Sequence, residues 1–169
     1  MHGLRAGSIW AMALVLLLLA GCASRPPAPG YDPAVPRVEV IRVGGPNKPY
    51  EVLGRRYVPM TSDAPYRERG GASWYGREFH GKPTALGETF DMNVVSAAHP
   101  TLPLPSWARV RHLASGREIV VRINDRGPFK PGRIIDLSHA AAAKLGVLHG
   151  VTEVEVERLT HDAIRKGRW

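Results

Sequence analysis

Gly and Pro interrupt this chain so often that long helices cannot be built from most of it. They number 18 and 15 of 169 residues, about a fifth of the chain against a usual combined share of about 12 %. Gly loses much conformational freedom when ordered in a helix, and Pro lacks the N–H that helix and sheet interiors require. A helical bundle is thereby disfavoured, and a fold of short strands joined by turns is favoured. The single Cys, Cys22, excludes a disulfide framework, and the length suits one globular domain with appendages.

Between the interruptions lie six short strand-like segments: Ala72 to Tyr75, then five rich in β-branched residues, Val94 to Ala98, Ala108 to Leu113, Glu118 to Ile123, Ile134 to Leu137 and Thr152 to Val156. Each is bounded by Gly, Pro, Asn or Asp, the punctuation of strands. Six strands in about 90 residues predict a small closed or nearly closed barrel, the class mainly β. One helix interrupts them: Ser138 suits the N-cap, His139 to Leu145 is Ala-rich, and Gly146 fits the position after the last turn. Upstream, the alternating run VEVIRV at 38–43 predicts a strand, and Tyr50 to Val52 with Arg56 to Val58 around Gly54 predict a hairpin. These make an N-terminal β arm over 38–69, before a barrel over 70–159. The basic tail at 160–169 is expected to fray.

The first 21 residues carry His2 and Arg5, then an apolar run, and end in Leu19-Ala20-Gly21-Cys22. That order reads as an export signal. Its apolar stretch, about a dozen residues, falls short of the roughly 17–25 that cross a bilayer. Leu-Ala-Gly-Cys resembles the bacterial lipobox, whose cysteine is lipidated, and Ala23 after Cys22 suggests sorting to the periplasmic face of the outer membrane. Residues 22–37, with five prolines, read as an extended tether. The formal net charge of +8 could mark nucleic acid, an anionic membrane or an acidic polymer as partner. A cell-envelope address removes nucleic acid. Arg67, Arg69, Arg77, Lys82, Lys130 and Arg133 flank the central segments and could hold the carboxylates of such a polymer, although a solvated face is the preferred reading.

Between Ala72 and Gly150 the only acids are Glu78, Glu88, Asp91, Glu118, Asp125 and Asp136. Asp125 lies where an apolar strand gives way to Asn124-Asp125-Arg126-Gly127-Pro128, a strand end where a scaffold can hold a working carboxylate. By composition alone the preferred reading is a turn former paired with Arg126. Glu88 alone reads as a solvated loop acid, and Asp136 is assigned to the start of the Ala-rich helix, where the helix dipole favours negative charge. His99 is either a hydrogen-bond donor to a carboxylate or sugar, or a histidine satisfied by backbone at the barrel mouth. Trp74 and Tyr75 alternate along a strand, so one faces the core and the other outward. No HExxH or GxxxxGK[ST] run occurs, so neither a metal nor a nucleotide cofactor is expected.

The order of Gly71-Ala72-Ser73-Trp74-Tyr75-Gly76, Phe79-His80-Gly81, Thr84-Ala85-x-Gly87-Glu88-x-Phe90-Asp91, Ala97-Ala98-His99, Leu102-Pro103-Leu104-Pro105, Ile123-Asn124-Asp125-Arg126-Gly127-Pro128 and Ile135-Asp136-Leu137-Ser138 resembles the rare lipoprotein A family of septal ring lytic transglycosylases. The resemblance runs from Gly71 to about Leu159 and extends weakly over Lys48 to Met60. It implies a six-stranded double-psi β-barrel and endolytic cleavage of β-1,4 MurNAc-GlcNAc bonds in glycan strands without stem peptides. The catalytic positions it implies are Glu88, Asp91, His99 and Asp125, with Trp74, Tyr75, Asn124 and Arg126 against the sugar. The partners expected are glycan strands, a membrane reached through lipidated Cys22, and divisome proteins, with the chain a monomer. The family's sporulation-related repeat is not expected here, because the barrel is followed by about ten residues. The alternative is a non-enzymatic, expansin-like glycan-binding lipoprotein.

Overall fold

The computed structural model describes residues 35–169, so the export signal, Cys22 and most of the tether lie outside the described residues. A 3-10 turn at Gly45–Asn47 leads into the hairpin β1 (Tyr50–Val52) and β2 (Arg55–Tyr57), which pair antiparallel as expected. The remaining strands are β3 (Arg67–Tyr75), β4 (Ser96–Ala98), β5 (Ser106–His112), β6 (Glu118–Asp125), β7 (Arg133–Ser138) and β8 (Thr152–Arg158). They close into a barrel in the order β3-β7-β4-β6-β5-β8. β3 runs parallel to β7 and β4 parallel to β6, while the other four pairings are antiparallel. All six expected segments are therefore barrel strands.

Alternate residues fill the interior: Ala97, Ala108, Val110, Val121, Ile123, Ile135, Leu137, Val154 and Val156 are solvent-free. Burying each larger aliphatic side chain contributes roughly 1.5–3 kcal/mol, which makes the barrel a rigid frame. Leu102 and Leu104, on the β4–β5 connection, belong to the same core as Ala141, Ala142 and Leu145 of the helix α1 (His139–Leu145). That helix begins as the sequence predicts, with Ser138 Oγ accepting the Ala141 N–H, and ends at Gly146 in the left-handed region. Gly71 is required for a different reason. A Cβ there would lie 2.6 Å from the Gly132 carbonyl oxygen, the acceptor of the Gly71 N–H.

Two expectations are corrected. The run VEVIRV keeps its alternation, with Glu39 and Ile41 turned inward and Val38 and Val40 outward, but it is not a strand. It is fastened by side chains: Glu39 accepts from Trp107 Nε1 and from Arg122. The tail does not fray throughout. Thr160 caps a short helix α2 (His161–Arg165) whose Ile164 packs on Trp107 and Leu159.

Asn47 fixes the end of the arm. It is buried, its Nδ2 donates to the carbonyls of Arg42 and Leu104, and its Oδ1 accepts the Leu104 N–H and Arg126 Nη2. Asn47→Ala strands those buried groups, so it should cost about 1–3 kcal/mol of stability. Urea unfolding would read this as a lower midpoint at unchanged slope, and an unchanged midpoint would show that the arm is not fastened there.

Candidate active site

The row of side chains that can do chemistry is set by strand register. Ala98 on β4 pairs with Asp125 on β6 at one side and with Asp136 on β7 at the other, and Asp136 pairs in turn with Ser73 on β3. Paired residues share a face of the sheet. Ser73, Asp136, Ala98 and Asp125 therefore form one row on the outside of the barrel, with the two acids separated by two strand spacings, about 10 Å between Cα atoms. The β4–β6 register shifts between Ala97 and Ala98, so that Asn124 is an extra residue. Without that bulge, alternation would send Asp125 inward with Val121 and Ile123. With it, Asn124 and Asp125 both face outward, the re-aiming that bulges perform.

Asp125 is half-buried. Its Oδ1 accepts two backbone N–H groups, from Ala85 and Arg126, each at 2.8 Å. Burial pushes its carboxyl above the ordinary aspartate value, and those two bonds and the Arg126 charge only partly offset this. Asp136 is also raised by burial, against the opposing pull of Ser73 Oγ at 2.7 Å and of Arg133 at 3.0 Å. It is not the helix cap expected from sequence, because it lies within β7 and Ser138 caps α1.

The loop carrying Glu88 docks on the end of β6: Ala85 N–H on Asp125, Leu86 N–H on the Asn124 carbonyl, and Glu88 on Arg122 Nη1 at 2.6 Å and Asn124 Nδ2 at 3.1 Å. Burial works to raise the Glu88 carboxyl, but the hydrogen bonds from Arg122 and Asn124 outweigh it and leave Glu88 below the ordinary glutamate value. Glu88 is thus no free solvated loop acid. Asp91 lies further along the same loop, half-exposed, accepting from Asn93 and 3.6 Å from His80 Nδ1.

Two residues expected to touch substrate are occupied elsewhere. The His99 ring is fully buried. Its Nδ1 accepts the N–H groups of Thr101 and Leu102, which places the ring proton on Nε2, facing the Tyr66 hydroxyl at 3.2 Å. Burial, helped by Arg126, brings its pKa down to about 3. The ring is therefore neutral, and it hydrogen-bonds none of Glu88, Asp91 and Asp125. Arg126 likewise faces protein: Nε and Nη2 donate to the Pro46 carbonyl, Nη2 to Asn47 Oδ1, and Nη1 to the carbonyls of His99 and Leu102. It clasps the arm to the β4–β5 connection.

Trp74 and Tyr75 fall on opposite faces, but not with the expected burial: Tyr75 shares the outer face of Ser73, where loop residues cover it, and Trp74 is in register with Leu137 yet stays partly exposed. Tyr75 is buried, stacked on Phe90 with ring centroids 4.3 Å apart and packed with Ala98. Its hydroxyl has no hydrogen-bond partner in good geometry, and burial, then the Asp125 charge, hold it protonated. Trp74 is 37 % exposed and rigid, Nε1 donating to the Leu148 carbonyl and the ring edge meeting His139. A Cβ on Gly76 would lie 2.8 Å from that ring.

Sequence reasoning missed Asp136 as a member of the row, and missed Glu39 and Arg122. A charged residue inside the apolar run Ile119 to Ile123 was the available signal for Arg122. Among the described residues no group of three His, Cys, Asp or Glu is placed to hold a metal. Of the expected basic residues, Arg67 and Arg69 are paired with Glu155 and Glu157, and a concavity of about 510 Å³ beside Arg67 shares no residue with the row. The arrangement therefore places a carboxyl raised by burial, Asp125, next in sequence to Asn124, which holds a carboxyl lowered by its hydrogen bonds, Glu88, the kind of divergence that separates acid and base roles.

The opposite shifts predict opposite stability effects. The folded-state value of Asp125 lies above 3.8, so its contribution is greatest below that value and is lost as pH rises through the folded one. Asp125→Asn should thus be more stable than wild type near pH 7, with the advantage vanishing on acidification. Glu88 lies below 4.5 when folded, so its contribution is present above 4.5 and lost as pH falls through the folded value. Glu88→Gln should be less stable near pH 7, the deficit shrinking in acid. Urea midpoints across pH read both signs, and an Asp125→Asn less stable than wild type near pH 7 would contradict the burial account.

A family model described as lytic transglycolase matches residues 67–156. The chain is similar to the endolytic peptidoglycan transglycosylase RlpA of Vibrio cholerae serotype O1, 42 % identical over 95 % of this chain and 66 % of that protein. The protein of that name from Neisseria meningitidis serogroup A is 47 % identical over 75 % of this chain and 53 % of its own length. That from Pseudomonas aeruginosa strain UCBPP-PA14 is 56 % identical over 64 % and 32 %. The chain thus spans from about a third to nearly two thirds of the length of these relatives. Among solved structures it is similar to the Streptomyces papain inhibitor, at 27 % identity over 55 % of this chain and 94 % of that one, with a TM-score of 0.46. Since the matched span takes in the whole barrel up to Val156 and every residue of the carboxylate row, this chain belongs to the rare lipoprotein A family, built on the double-psi β-barrel of the lytic transglycolases.

Proposed function

We propose that this protein is an endolytic peptidoglycan lytic transglycosylase. It cleaves β-1,4 MurNAc-GlcNAc bonds in glycan strands that lack stem peptides, and leaves 1,6-anhydroMurNAc ends. The observation that carries the reading is Asp125: a carboxyl raised by burial, aimed outward by a bulge, and held through one oxygen by two backbone N–H groups. A glycosidic oxygen leaves readily when it is protonated as positive charge develops on the sugar ring, and a carboxyl raised by burial holds its proton to higher pH than an ordinary aspartate does.

The step balances without water. Asp125 transfers its proton to the bridging oxygen while the bond from the muramic C1 to that oxygen breaks. The C6 hydroxyl of the same muramic residue closes on C1, and its proton returns to the Asp125 carboxylate, which restores the acid. Glu88, kept ionised by Arg122 and Asn124, places negative charge near the oxocarbenium-like centre. Asp136 contributes a second carboxyl to the same row, and Asp91 meets the strand at the more exposed rim. Trp74 offers a fixed ring for a sugar to stack on, at low entropic cost because protein already holds it. His99 and Arg126 serve indirectly, by fixing the turn after β4 and the arm behind it.

In the same reading the protein is a lipoprotein, lipidated at Cys22 and held at the periplasmic face of the outer membrane, with the Pro-rich tether giving the barrel reach. Its place there is wall remodelling and daughter cell separation, where divisome proteins are its neighbours. Two or more acyl chains suffice for stable anchoring, whereas one gives only marginal binding.

Incubation with amidase-treated, peptide-free glycan strands, followed by mass spectrometry, tests the reaction. Wild type should release anhydro-ended oligosaccharides, and Asp125→Asn should lose roughly 100- to 10,000-fold of that rate while remaining folded. Strand binding with no products from wild type would instead mark an expansin-like binding module. Equal turnover by the Asn variant would remove Asp125 from the chemistry.

A further inference from the structure

The arm precedes the residues 67–156 matched by the family model, yet one of its side chains reaches the carboxylates through a single arginine. Glu39 accepts Arg122 Nε on one oxygen at 2.8 Å and Nη2 on the other at 2.9 Å, a side-on pair of bonds. The third face of the same guanidinium gives Nη1 to Glu88 at 2.6 Å. Trp107 Nε1 donates to Glu39 at 3.0 Å, so the arm carboxylate is itself fixed. Both Glu39 and Arg122 are close to buried, with side chains 13 % and 9 % exposed. In such surroundings a guanidinium cannot be satisfied by water, and its orientation is decided by its two acids.

We propose that Glu39 is a positioning residue for Glu88: acting through Arg122, it fixes where the Glu88 carboxylate stands and how much of its negative charge is left to face the sugar. This deepens the transglycosylase reading and rests on it for its catalytic consequence. The geometry follows from the fork. With Nε and Nη2 committed to Glu39, Arg122 can offer Glu88 only Nη1, a single bond that leaves the second Glu88 oxygen outside the pair. Without Glu39 the guanidinium is free to turn and grip Glu88 with two nitrogens, drawing it toward β6 and neutralising it more fully. The arm thus shares one cation between an arm acid and a site acid.

The groups that face Glu88 are Arg122 and Asn124 from β6 and Arg37 at the end of the tether, with Glu39 behind Arg122. Replacing Glu39 by Gln removes one negative charge from this set and leaves the cations. The Glu88 carboxylate is then better stabilised, and its titration moves to lower pH.

The test uses the full chain with Glu39→Gln, Glu88→Gln and the double variant. Site-resolved carboxyl 13C titration reads Glu88 directly and needs no turnover: its midpoint should fall in Glu39→Gln relative to wild type. Rates of anhydro-product release, per mole of folded protein, should drop roughly 2- to 30-fold in Glu39→Gln with KM little changed. In the Glu88→Gln background the same substitution should have no further effect on rate. A merely structural Glu39 would lower the melting temperature but leave the Glu88 midpoint and the rate per folded molecule where they were, and that result would overturn the proposal. An additive loss in the double variant would overturn it as well. If wild type releases no anhydro product, the transglycosylase reading fails by itself, and the Glu88 midpoint still decides whether Glu39 governs that carboxylate.

Discussion

Four polar residues at the end of one strand, Arg122, Asn124, Asp125 and Arg126 of β6 and the turn after it, hold the start of the arm, the Glu88 loop and the turn after β4 against the barrel. Arg122 binds the arm and Glu88, Asn124 binds Glu88, Asp125 binds the backbone of the Glu88 loop, and Arg126 binds the arm again together with the turn after β4. Each is partly or largely buried, and a buried charge is tolerable only when its hydrogen bonds are met. The loop, the arm and the turn are therefore obligatory neighbours of β6. Burial lowers the pKa of the Arg126 guanidinium to about 10, against the opposing charges of Tyr50 and Asp125.

That constraint gives the two acids of the hub different chemistry. Glu88 receives a cation and an amide, so its charge is welcome. Asp125 receives two backbone N–H groups on one oxygen, with Arg126 directed mainly to carbonyls, and these do not offset its burial. One strand end thus shifts two acids in opposite directions. Such sites cost stability, since an acid that prefers to be neutral is strained whenever it ionises.

Much of the fold was legible because the barrel obeys local rules. Gly and Pro punctuation located all six strands, Ser138 and Gly146 bounded α1, and alternation put Trp74 and Tyr75 on opposite faces, although loop cover rather than face buries Tyr75. What failed was whatever depends on partners distant in sequence. VEVIRV has strand alternation, but its fastening is by side chains, Glu39 to Arg122, 83 residues away, and no strand pairs with its backbone. Asp136 sits two residues before the N-cap Ser138, and only register reveals that it faces Ser73 and shares a row with Asp125. Asp125 stood out at a strand end, but its residues alone favoured a turn former and only the family resemblance pointed to chemistry, while the bulge that turns it outward has no signature in the sequence. His99 and Arg126 were named from motif position, which reports that a residue matters without reporting whether it faces substrate or backbone.

The central claim is that one strand end sets Asp125 as a proton donor and Glu88 as a standing anion. Carboxyl 13C titration of the wild-type protein, with both residues assigned, tests it most directly. Asp125 should titrate above the 3.8 of an ordinary aspartate and Glu88 below the 4.5 of an ordinary glutamate. An Asp125 that titrates at or below 3.8 would contradict the account, because a carboxyl already ionised there holds no proton to give.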